Sequence, residues 1–579
     1  MKFKNIYLVL AMLVLLTGNS CSDFLNTLPN GTLATGGATP ESADALVTAA
    51  YAGISNEDIS GPMTSMWGYS SVRSDDAYKG GGGISDIIDL YYYETYKLTV
   101  PDQDWEHNFT WENFYWAISR ANSALNALNE LTEEDMPEIK SRMAEARFLR
   151  AHSHFVLKIL FKYIPYITED LTGKDILEAS NRKYTNDELW DKIAEDFQYA
   201  IDFLPETQSQ IGRVNKYAAI AYLAKLRLYQ AYEQDENNQV VNINKSRLEE
   251  VVSLSDVVIN SGKYSLEPDY ANNFMYGYDH GPESIFAIEF SISDGTSVGR
   301  VSYVTGVNYP HGAPQFGCCG FHQPSQNMVN AFGTDENGLP KFDTFNDVIL
   351  DETNITPNGV SVDPRIDHAV AIDGHPFKYR NEPDYIYSNS WVRDPGVYGF
   401  FHSMKEAQPA DITGFYKNGP FIGTSKNIDI IRYDDVLLMK AEALIELGKQ
   451  DDARPIINLV RERAASSTTR LVYSDGSPVS NYKIGLYNDS NLAWTQDNAR
   501  MALRWERRLE LALESSRFFD LVRWGIAEQV LNDYLKVEKE RRDYLSVGQF
   551  TAGRDEYYPI PQQEIDFTKG LYIQNVGYN

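Results

Sequence analysis

The stretch VLLMKAEALIELGKQDDARPIINLVRERA, residues 436–464, has a helical spacing that indicates the fold class. Apolar residues recur at helical intervals on both sides of Gly448, which interrupts the pattern. Ala441 precedes this glycine by seven residues, Ala453 follows it by five, and Ile457 follows Ala453 by four. Small residues at these positions let two antiparallel helices approach closely, and the glycine ends the first helix. The spacing favours a tetratricopeptide-like helix pair, with an ordinary helical hairpin as the alternative.

Helical periodicity extends over three blocks of the chain, and no linker rich in Pro, Ser and Gly separates them. Two stretches between the blocks, Ser55–Gln103 and Tyr270–Ser425, are rich in turn signals. Loops of this length on a compact scaffold are usually functional. The sequence therefore predicts a mainly α-helical scaffold that carries two long irregular segments. The predicted helical stretches are Trp111–Leu131, Glu138–Phe161, Asp187–Leu204, Lys216–Tyr232, Arg247–Ile259, Tyr433–Ala464 and Asn498–Tyr534.

The N-terminus has the composition of an export signal. Lys2 and Lys4 precede an apolar run at 6–16, which suits a secretory signal and is too short to span a membrane. The run leads to Cys21, where a bacterial lipoprotein signal would be cleaved and the thiol acylated; an ordinary signal with a chance cysteine is the alternative. We expect residues 1–20 to be removed and Cys21 to carry several acyl chains, which together hold a protein stably at a membrane.

The remaining chain is strongly acidic. Residues 1–20 contain two lysines and no acidic residue, so their removal changes the formal net charge from −29 to −31. A surface this acidic repels nucleic acid and anionic lipid. We therefore exclude nucleic-acid binding, and we assign membrane attachment to the lipid alone.

Cys318 and Cys319 are adjacent within GAPQFGCCGFHQPSQN, residues 312–327. In an oxidising compartment such neighbours can form a vicinal disulfide, and the flanking glycines would give the backbone freedom that this small ring requires. Two free buried thiols are the alternative. We predict no metal site here, because His322 alone adds too few ligands.

The loop-rich stretches also carry many aromatic residues, several of them in pairs two residues apart. On an extended segment both rings of such a pair would lie on one face. A flat ring fits the apolar CH face of a sugar, and carboxylate, amide or guanidinium groups fit its hydroxyl rim. The alternative is that at least half of these rings cover the loops' own small cores. The residues are Trp67, Tyr69, Tyr91, Tyr93, Tyr385, Tyr387, Trp391 and Tyr398.

Five motifs occur in order along the chain. They are AEARFLRAHSHFVL (144–157), INSGKYSL (259–266), RYDDVLLMKAEALIELG (432–448), ERRLELALESSRFFDLVRWG (506–525) and YPIPQQEI (558–565). Together with Cys21 they resemble the SusD/RagB family of outer-membrane nutrient-uptake lipoproteins of the Bacteroidetes. The resemblance runs from the export signal to the C-terminal motif. It departs from the commoner family pattern at His154, where an aromatic residue is usual.

The resemblance implies a scaffold of four tetratricopeptide-like helix pairs with a loop-rich, mostly irregular ligand-binding subdomain. It also implies location at the cell surface, capture of a glycan or peptide, and a lid-like seat on a SusC-like TonB-dependent transporter. We therefore predict a lipid-anchored outer-membrane protein that captures oligosaccharides, delivers them to the transporter and needs no cofactor.

The resemblance divides the chain into five parts. Residues 1–20 are the signal peptide, 21–54 a lipidated tether with the first helix, and 55–269 helical scaffold with a binding loop at 55–103. Residues 270–425 form the loop-rich glycan-binding subdomain, and 426–579 complete the scaffold.

By the same resemblance, the glycan site would lie where segments 67–96, 316–322 and 380–398 meet. A disulfide would offer the sugar a stiff apolar surface, while carboxylate and guanidinium groups would bond its hydroxyls. The predicted binding residues are Trp67, Asp75, Asp76, Tyr91, Tyr93, Cys318, Cys319, Arg380, Trp391, Arg393 and Tyr398.

The sequence offers little support for catalysis. It contains no GxSxG, HExxH or phosphate-loop motif, and pairs such as Asp434–Asp435 carry little information among 81 acidic residues. The segment Glu506–Trp524 places acids and arginines at i+3 and i+4, which indicates ion pairs and packing against a neighbouring repeat. We predict a binding protein rather than an enzyme, with a surface glycoside hydrolase and a protein-binding helical-repeat scaffold as the alternatives.

Overall fold

The computed structural model describes residues 37–55, 64–99, 105–292, 300–303 and 305–578. The signal peptide and Cys21 lie outside these residues. Among the described helices, none is both long enough and apolar enough to cross a membrane. Ten helices in this part of the chain have at least twelve residues: α1 Pro40–Ile54, α2 Trp105–Asn129, α3 Ile139–Phe161, α4 Asn186–Phe203, α5 Lys216–Ala231, α6 Lys245–Asn260, α7 Tyr433–Glu446, α8 Gln450–Ser466, α9 Gln496–Glu510 and α10 Ala527–Glu538.

Neighbouring helices of this series pack against each other. α1 packs on α2, α2 on α3, α3 on α4, α4 on α5 and α5 on α6. α6 then packs on α7, although residues 261–432 separate them in the sequence, and α7 packs on both α8 and α9. The helical blocks therefore form one continuous array, as stacked helix-pair repeats do. The predicted mainly α-helical scaffold is confirmed.

The stretch 436–464 forms the predicted helix pair. α7 ends at Glu446, and Gly448 follows with φ of +78°, a conformation that suits the residue after a helix because glycine has no Cβ. Ala441 and Ala453 are fully buried where α7 and α8 meet. The second predicted long block, Asn498–Tyr534, is three helices instead of one: α9, a short helix at Arg517–Arg523, and α10.

Short strands pair in twos, and most of them lie in the irregular segments. Within the described residues the sheets are all antiparallel and join β1 to β5, β2 to β3, β4 to β10, β6 to β7 and β8 to β9. The β1–β5 pair links the first irregular segment to the second, and the β4–β10 pair runs directly into α7. The strands are β1 Ala77–Gly80, β2 Tyr232–Gln234, β3 Val240–Ile243, β4 Ser284–Ile288, β5 Phe321–Pro324, β6 Val370–Ala371, β7 His402–Ser403, β8 Phe415–Asn418, β9 Phe421–Thr424 and β10 Ile428–Arg432.

Aromatic side chains form the core of the loop-rich subdomain. Two-residue to five-residue strands and single turns expose little continuous aliphatic face, so large rings supply the buried apolar area. This decides the alternative left open by the sequence: many loop aromatics cover the loops' own core. The buried rings of this cluster are Tyr309, Phe316, Phe377, Tyr385, Tyr387 and Trp391.

Buried ion pairs join the subdomain to the scaffold. Arg365 bonds Asp363 at 2.7 Å, Glu506 at 2.6 Å and Glu510 at 2.8 Å, and no side chain of the four is more than 1% exposed. A buried charge that loses its partner costs about 3–5 kcal/mol, so these groups must remain together. Within the 506–524 segment, Asp520 bonds Arg523 three residues later, as the sequence indicated, whereas Glu506 and Glu510 bond arginines of other elements.

Three carboxylates of the same network lie close enough to share a metal ion. Glu283, Asp434 and Glu510 place their oxygen atoms within 4.8 Å of one another. Arg432 bonds Glu283 at 2.5 Å and Asp434 at 2.7 Å, and Arg463 bonds both Glu283 and Glu510. Because the arginines already balance the negative charge, we interpret this cluster as part of the ion-pair network.

Candidate functional site

Arg393 lies where the three segments of the predicted site meet. Its guanidinium donates to the Asp86 carboxylate at 2.8 Å and to the carbonyl oxygen of Cys319 at 3.2 Å. β1 and β5 pair just behind this contact, and the Gly81 N–H donates to the Gly320 carbonyl at 2.8 Å. Segments that are more than two hundred residues apart are thus held together by one side chain and one short sheet.

The glycines at 80–83 permit this close approach. A Cβ on Gly80 would collide with the Gly320 carbonyl, and one on Gly81 would lie 2.5 Å from the Phe321 ring. A Cβ on Gly82 would lie 2.9 Å from the Arg393 guanidinium. Gly80 and Gly81 also have φ of +75° and +82°, where side chains are strained. The loop therefore needs glycine for both space and backbone conformation.

The buried Lys79 side chain bonds the backbone of the loop formed by the glycines at 80–83, which we call the glycine loop. Its ammonium group is buried and donates to the carbonyl oxygens of Gly80 at 3.1 Å, Gly83 at 3.0 Å and Asp86 at 2.6 Å. Burial lowers the pKa of Lys79 to about 8, although Glu94 and Asp86 favour its charged form. Sequence reasoning missed this residue. The signal was present, since a lysine directly before four glycines has many backbone carbonyls within reach.

Most of the predicted binding aromatics are buried. Trp67 is fully buried and stacks on His322 at 5.3 Å. Tyr93 packs edge-on against Tyr558 at 5.1 Å, Trp391 packs against Tyr387 at 5.4 Å, and Tyr398 packs against Tyr544 at 5.3 Å. The expectation that these rings are exposed is wrong, because each completes a core that sequence-distant residues build.

Tyr91 and Tyr93 also do not share a face as the extended-segment interpretation required. Residues Ile88–Thr95 form a helix, in which positions two apart point in different directions. Tyr93 points inward, while Tyr91 is half-buried and lies against Tyr92, with ring centroids 5.6 Å apart. Of the pair, only Tyr91 keeps a partly exposed ring.

Asp75 and Asp76 are buried, contrary to the expectation that they face a ligand. Asp75 bonds Arg517 at 2.8 Å and Arg508 at 3.1 Å, and Asp76 bonds Arg508 at 3.3 Å. Burial opposes ionisation, but Arg508 and Arg517 hold the pKa of Asp75 down at about 2. These acids connect the first irregular segment to the scaffold.

Arg380 does not join the Arg393 contact. It bonds Glu382 and Asp411, each at 3.0 Å, and lies 4.5 Å from the centre of the Tyr385 ring. Arg380 therefore lies at the surface of the aromatic core of the loop-rich subdomain.

Cys318 and Cys319 form a disulfide at the edge of the site, with 5% and 7% of their surfaces exposed. The N–H of Cys319 donates to the Val307 carbonyl at 3.1 Å, and its carbonyl accepts the bond from Arg393. The disulfide is therefore largely shielded from solvent, and its backbone supports Arg393.

We define the Arg393 surface as Asp86, Ile88, Tyr91, Tyr92, Arg393 and Asp394. The Arg393 and Asp86 side chains are 33% and 31% exposed, and Ile88 is 38% exposed. Asp394 lies against Gly83 of the glycine loop. The surface combines ring and aliphatic faces with hydrogen-bond donors and acceptors, so it can bind a ligand that has both an apolar face and polar edges.

Glu94 lies on the buried side of the helix that carries Tyr91. One carboxylate oxygen accepts from the Tyr544 hydroxyl at 2.5 Å, and the other has no hydrogen-bond partner among the described residues. Burial raises the pKa of Glu94 to about 8, although Tyr544 and Lys79 act in the opposite direction. Glu94 therefore holds its proton at neutral pH.

This raised pKa predicts a pH dependence of stability. The folded state keeps a proton that the unfolded state loses above its ordinary pKa of 4.5, so this contribution is present below pH 4.5 and is lost as pH rises towards about 8. Glu94→Gln cannot lose a proton, and its stability should fall less between pH 5 and pH 8 than that of the wild type. Urea unfolding midpoints at pH 5, 6.5 and 8 measure the difference; parallel curves would contradict the assignment.

Comparison with known proteins agrees with this architecture. The model of the SusD family matches residues 282–578, and a model described as "Starch-binding associating with outer membrane" matches residues 43–228. SusD-like protein P2 of Formosa agariphila is 28% identical over 588 aligned positions that cover 100% of both chains.

Solved structures share the fold. A SusD superfamily protein of Bacteroides vulgatus has a TM-score of 0.67 and 22% identity, with 93% of this chain and 99% of that chain covered. Surface glycan-binding protein A of Bacteroides thetaiotaomicron, solved in complex with laminarihexaose, has a TM-score of 0.62 and 21% identity over 93% of this chain and 99% of its own. Since the family model alone matches more than half of the sequence, the chain belongs to the SusD family.

Proposed function

We propose that this protein captures oligosaccharides at the Arg393 surface. The observation that carries the proposal is that Asp86, which bonds Arg393, stands two residues before the helix that carries the partly exposed Tyr91 and Tyr92 rings. Ring faces bind the CH faces of sugars, and the ion pair offers donors and acceptors to hydroxyl groups. The laminarihexaose complex of the Bacteroides thetaiotaomicron protein supports a glycan as the class of ligand.

The Arg393 guanidinium bonds Asp86, and Lys79 fixes the loop that carries Asp86. A preordered surface loses less conformational entropy when it binds. A ligand held only by partly exposed rings and one ion pair should bind in the micromolar-to-millimolar range, about −8 to −4 kcal/mol. We propose that a SusC-like TonB-dependent transporter covers the ligand's other face, receives the ligand and so adds affinity.

The binding proposal predicts that Tyr91→Ala and Arg393→Ala each weaken oligosaccharide binding about tenfold, because one removes a stacking ring and the other a charged donor. Tyr91→Phe should keep most of the affinity, since the ring remains. Trp116→Ala removes a half-exposed aromatic from α2 and is the matched control. Calorimetry with ligands selected on a glycan array measures each affinity.

Assays for reducing ends and for protein partners separate the rival functions. New reducing ends that disappear on an Asp or Glu substitution would identify a glycoside hydrolase. A protein partner retained by a chain that binds no glycan would identify a helical-repeat scaffold. Unchanged affinity in both Tyr91→Ala and Arg393→Ala would place the ligand elsewhere.

The disulfide predicts an effect of similar size. The double change Cys318→Ser and Cys319→Ser should leave the helices intact, since they lie elsewhere, and should weaken binding about five- to thirty-fold because the backing of Arg393 loosens. Titration of thiols in the unfolded, unreduced protein that lacks residues 1–21 should find none. Two thiols per chain would show that the cysteines are free.

We propose that this protein is held at the outer membrane by lipid attached to Cys21. Wild-type protein should be recovered in the outer-membrane fraction together with a TonB-dependent transporter. Cys21→Ala should remain unprocessed or leave that fraction, because it lacks the thiol that carries the anchoring acyl chains. Normal recovery of the variant with the transporter would contradict the lipid anchor.

A further inference from the structure

A groove of about 660 Å³ lies beside α9 and shares no lining residue with the Arg393 surface. Its walls come from α9, the short helix that begins at Arg517, α10, and a 3-10 turn at Phe342–Asp347. We call it the Trp505 groove. A volume of this size suits a small ligand.

Aromatic rings form one wall of the Trp505 groove. Trp505 is half-buried, and Phe342 and Phe345 both pack edge-on against its indole, with centroids 5.9 Å and 5.1 Å away and ring planes at 83° and 76°. Trp524 also lines the groove and is 6% exposed. Rings fixed in this way present a rigid apolar surface to a ligand.

Four arginines line the groove, and three of them have carboxylate partners. Arg500 bonds Glu446 at 2.6 Å, and both Arg508 and Arg517 bond Asp75. These three guanidinium groups are occupied within the protein.

Arg504 differs from the other three. Its guanidinium lies 5.0 Å from the Trp524 ring centre, and it makes no hydrogen bond or ion pair with any residue that the structure describes. Its Nε atom is buried without a partner. An arginine in this state gains most from a bidentate anionic partner, and carboxylates and sulfates have the matching geometry.

We propose that the Trp505 groove is a second ligand site, which binds a saccharide ring carrying a carboxylate or a sulfate. Asp343 and Asp533 are exposed in the groove and can accept bonds from hydroxyl groups, whereas they would repel a bare inorganic anion. Ring faces, one unpaired cation and hydroxyl acceptors together match an acidic sugar. The saccharide class rests on the proposed function; the anion requirement rests on Arg504 alone.

The test uses the mature protein with three probes: glucuronate, glucose 6-sulfate and uncharged glucose. Arg504→Met removes the charge but keeps a side chain of similar length over Trp524. We expect the variant to bind the preferred charged sugar at least tenfold more weakly and glucose unchanged. Arg454→Met is the matched control, because Arg454 lies at the same 5.0 Å distance over Trp494 outside the groove. Affinities come from calorimetry, and thermal unfolding confirms that each variant is folded.

The outcomes separate the two sites. Equal affinity of wild type and Arg504→Met for both charged sugars, or no binding of either by the wild type, would overturn the groove proposal. Loss of charged-sugar binding in Tyr91→Ala with none in Arg504→Met would assign the ligand to the Arg393 surface and also overturn it. Weakened binding in Arg504→Met, with no oligosaccharide bound at the Arg393 surface, would support the groove and contradict the proposed function. If Arg504→Met does not fold, Trp505→Phe should weaken binding of all three probes, and unchanged affinity there would overturn the proposal.

Discussion

The bond between Arg365 and the two glutamates of α9 is the contact on which the arrangement of the subdomain depends. The loop-rich segment has neither a long helix nor a wide sheet with which to dock on the scaffold. Arg365 supplies that attachment from within the protein, and Arg463 and Arg432 extend it to Glu283. Because separated charges in the interior are very costly, the network allows one docked position and excludes nearby ones. The geometry of the Arg393 surface therefore depends on the docked position of the subdomain.

The same physical device recurs at a smaller scale in the glycine loop. Lys79 occupies the centre of three carbonyl oxygens, much as a bound cation would, and four glycines let the backbone fold around it. The loop then presents Asp86 to Arg393 in a fixed direction. Buried arginine and lysine side chains thus fix the parts of this protein that have little regular secondary structure.

The sequence was informative where structure depends on local spacing. The helix pair at 436–464, the role of Gly448 and the continuous helical scaffold all follow from periodicity and from one glycine. The meeting of three segments at Arg393 came from the family resemblance rather than from local pattern. Site residues were harder to identify, because the exposure of a ring depends on distant partners. Tyr93 is covered by Tyr558, and Asp75 is neutralised by Arg508 and Arg517, each more than four hundred residues away.

We propose that a rigid helical scaffold presents ligand on the loops around Arg393. Hydrogen–deuterium exchange with and without a bound oligosaccharide tests it most directly, since it reports on every segment of the wild-type protein at once. The account predicts slower exchange in peptides that cover residues 80–95 and 391–400, with no change in the helix pair at 436–464. Protection confined to the scaffold helices, with the glycine loop exchanging at its ligand-free rate, would contradict it.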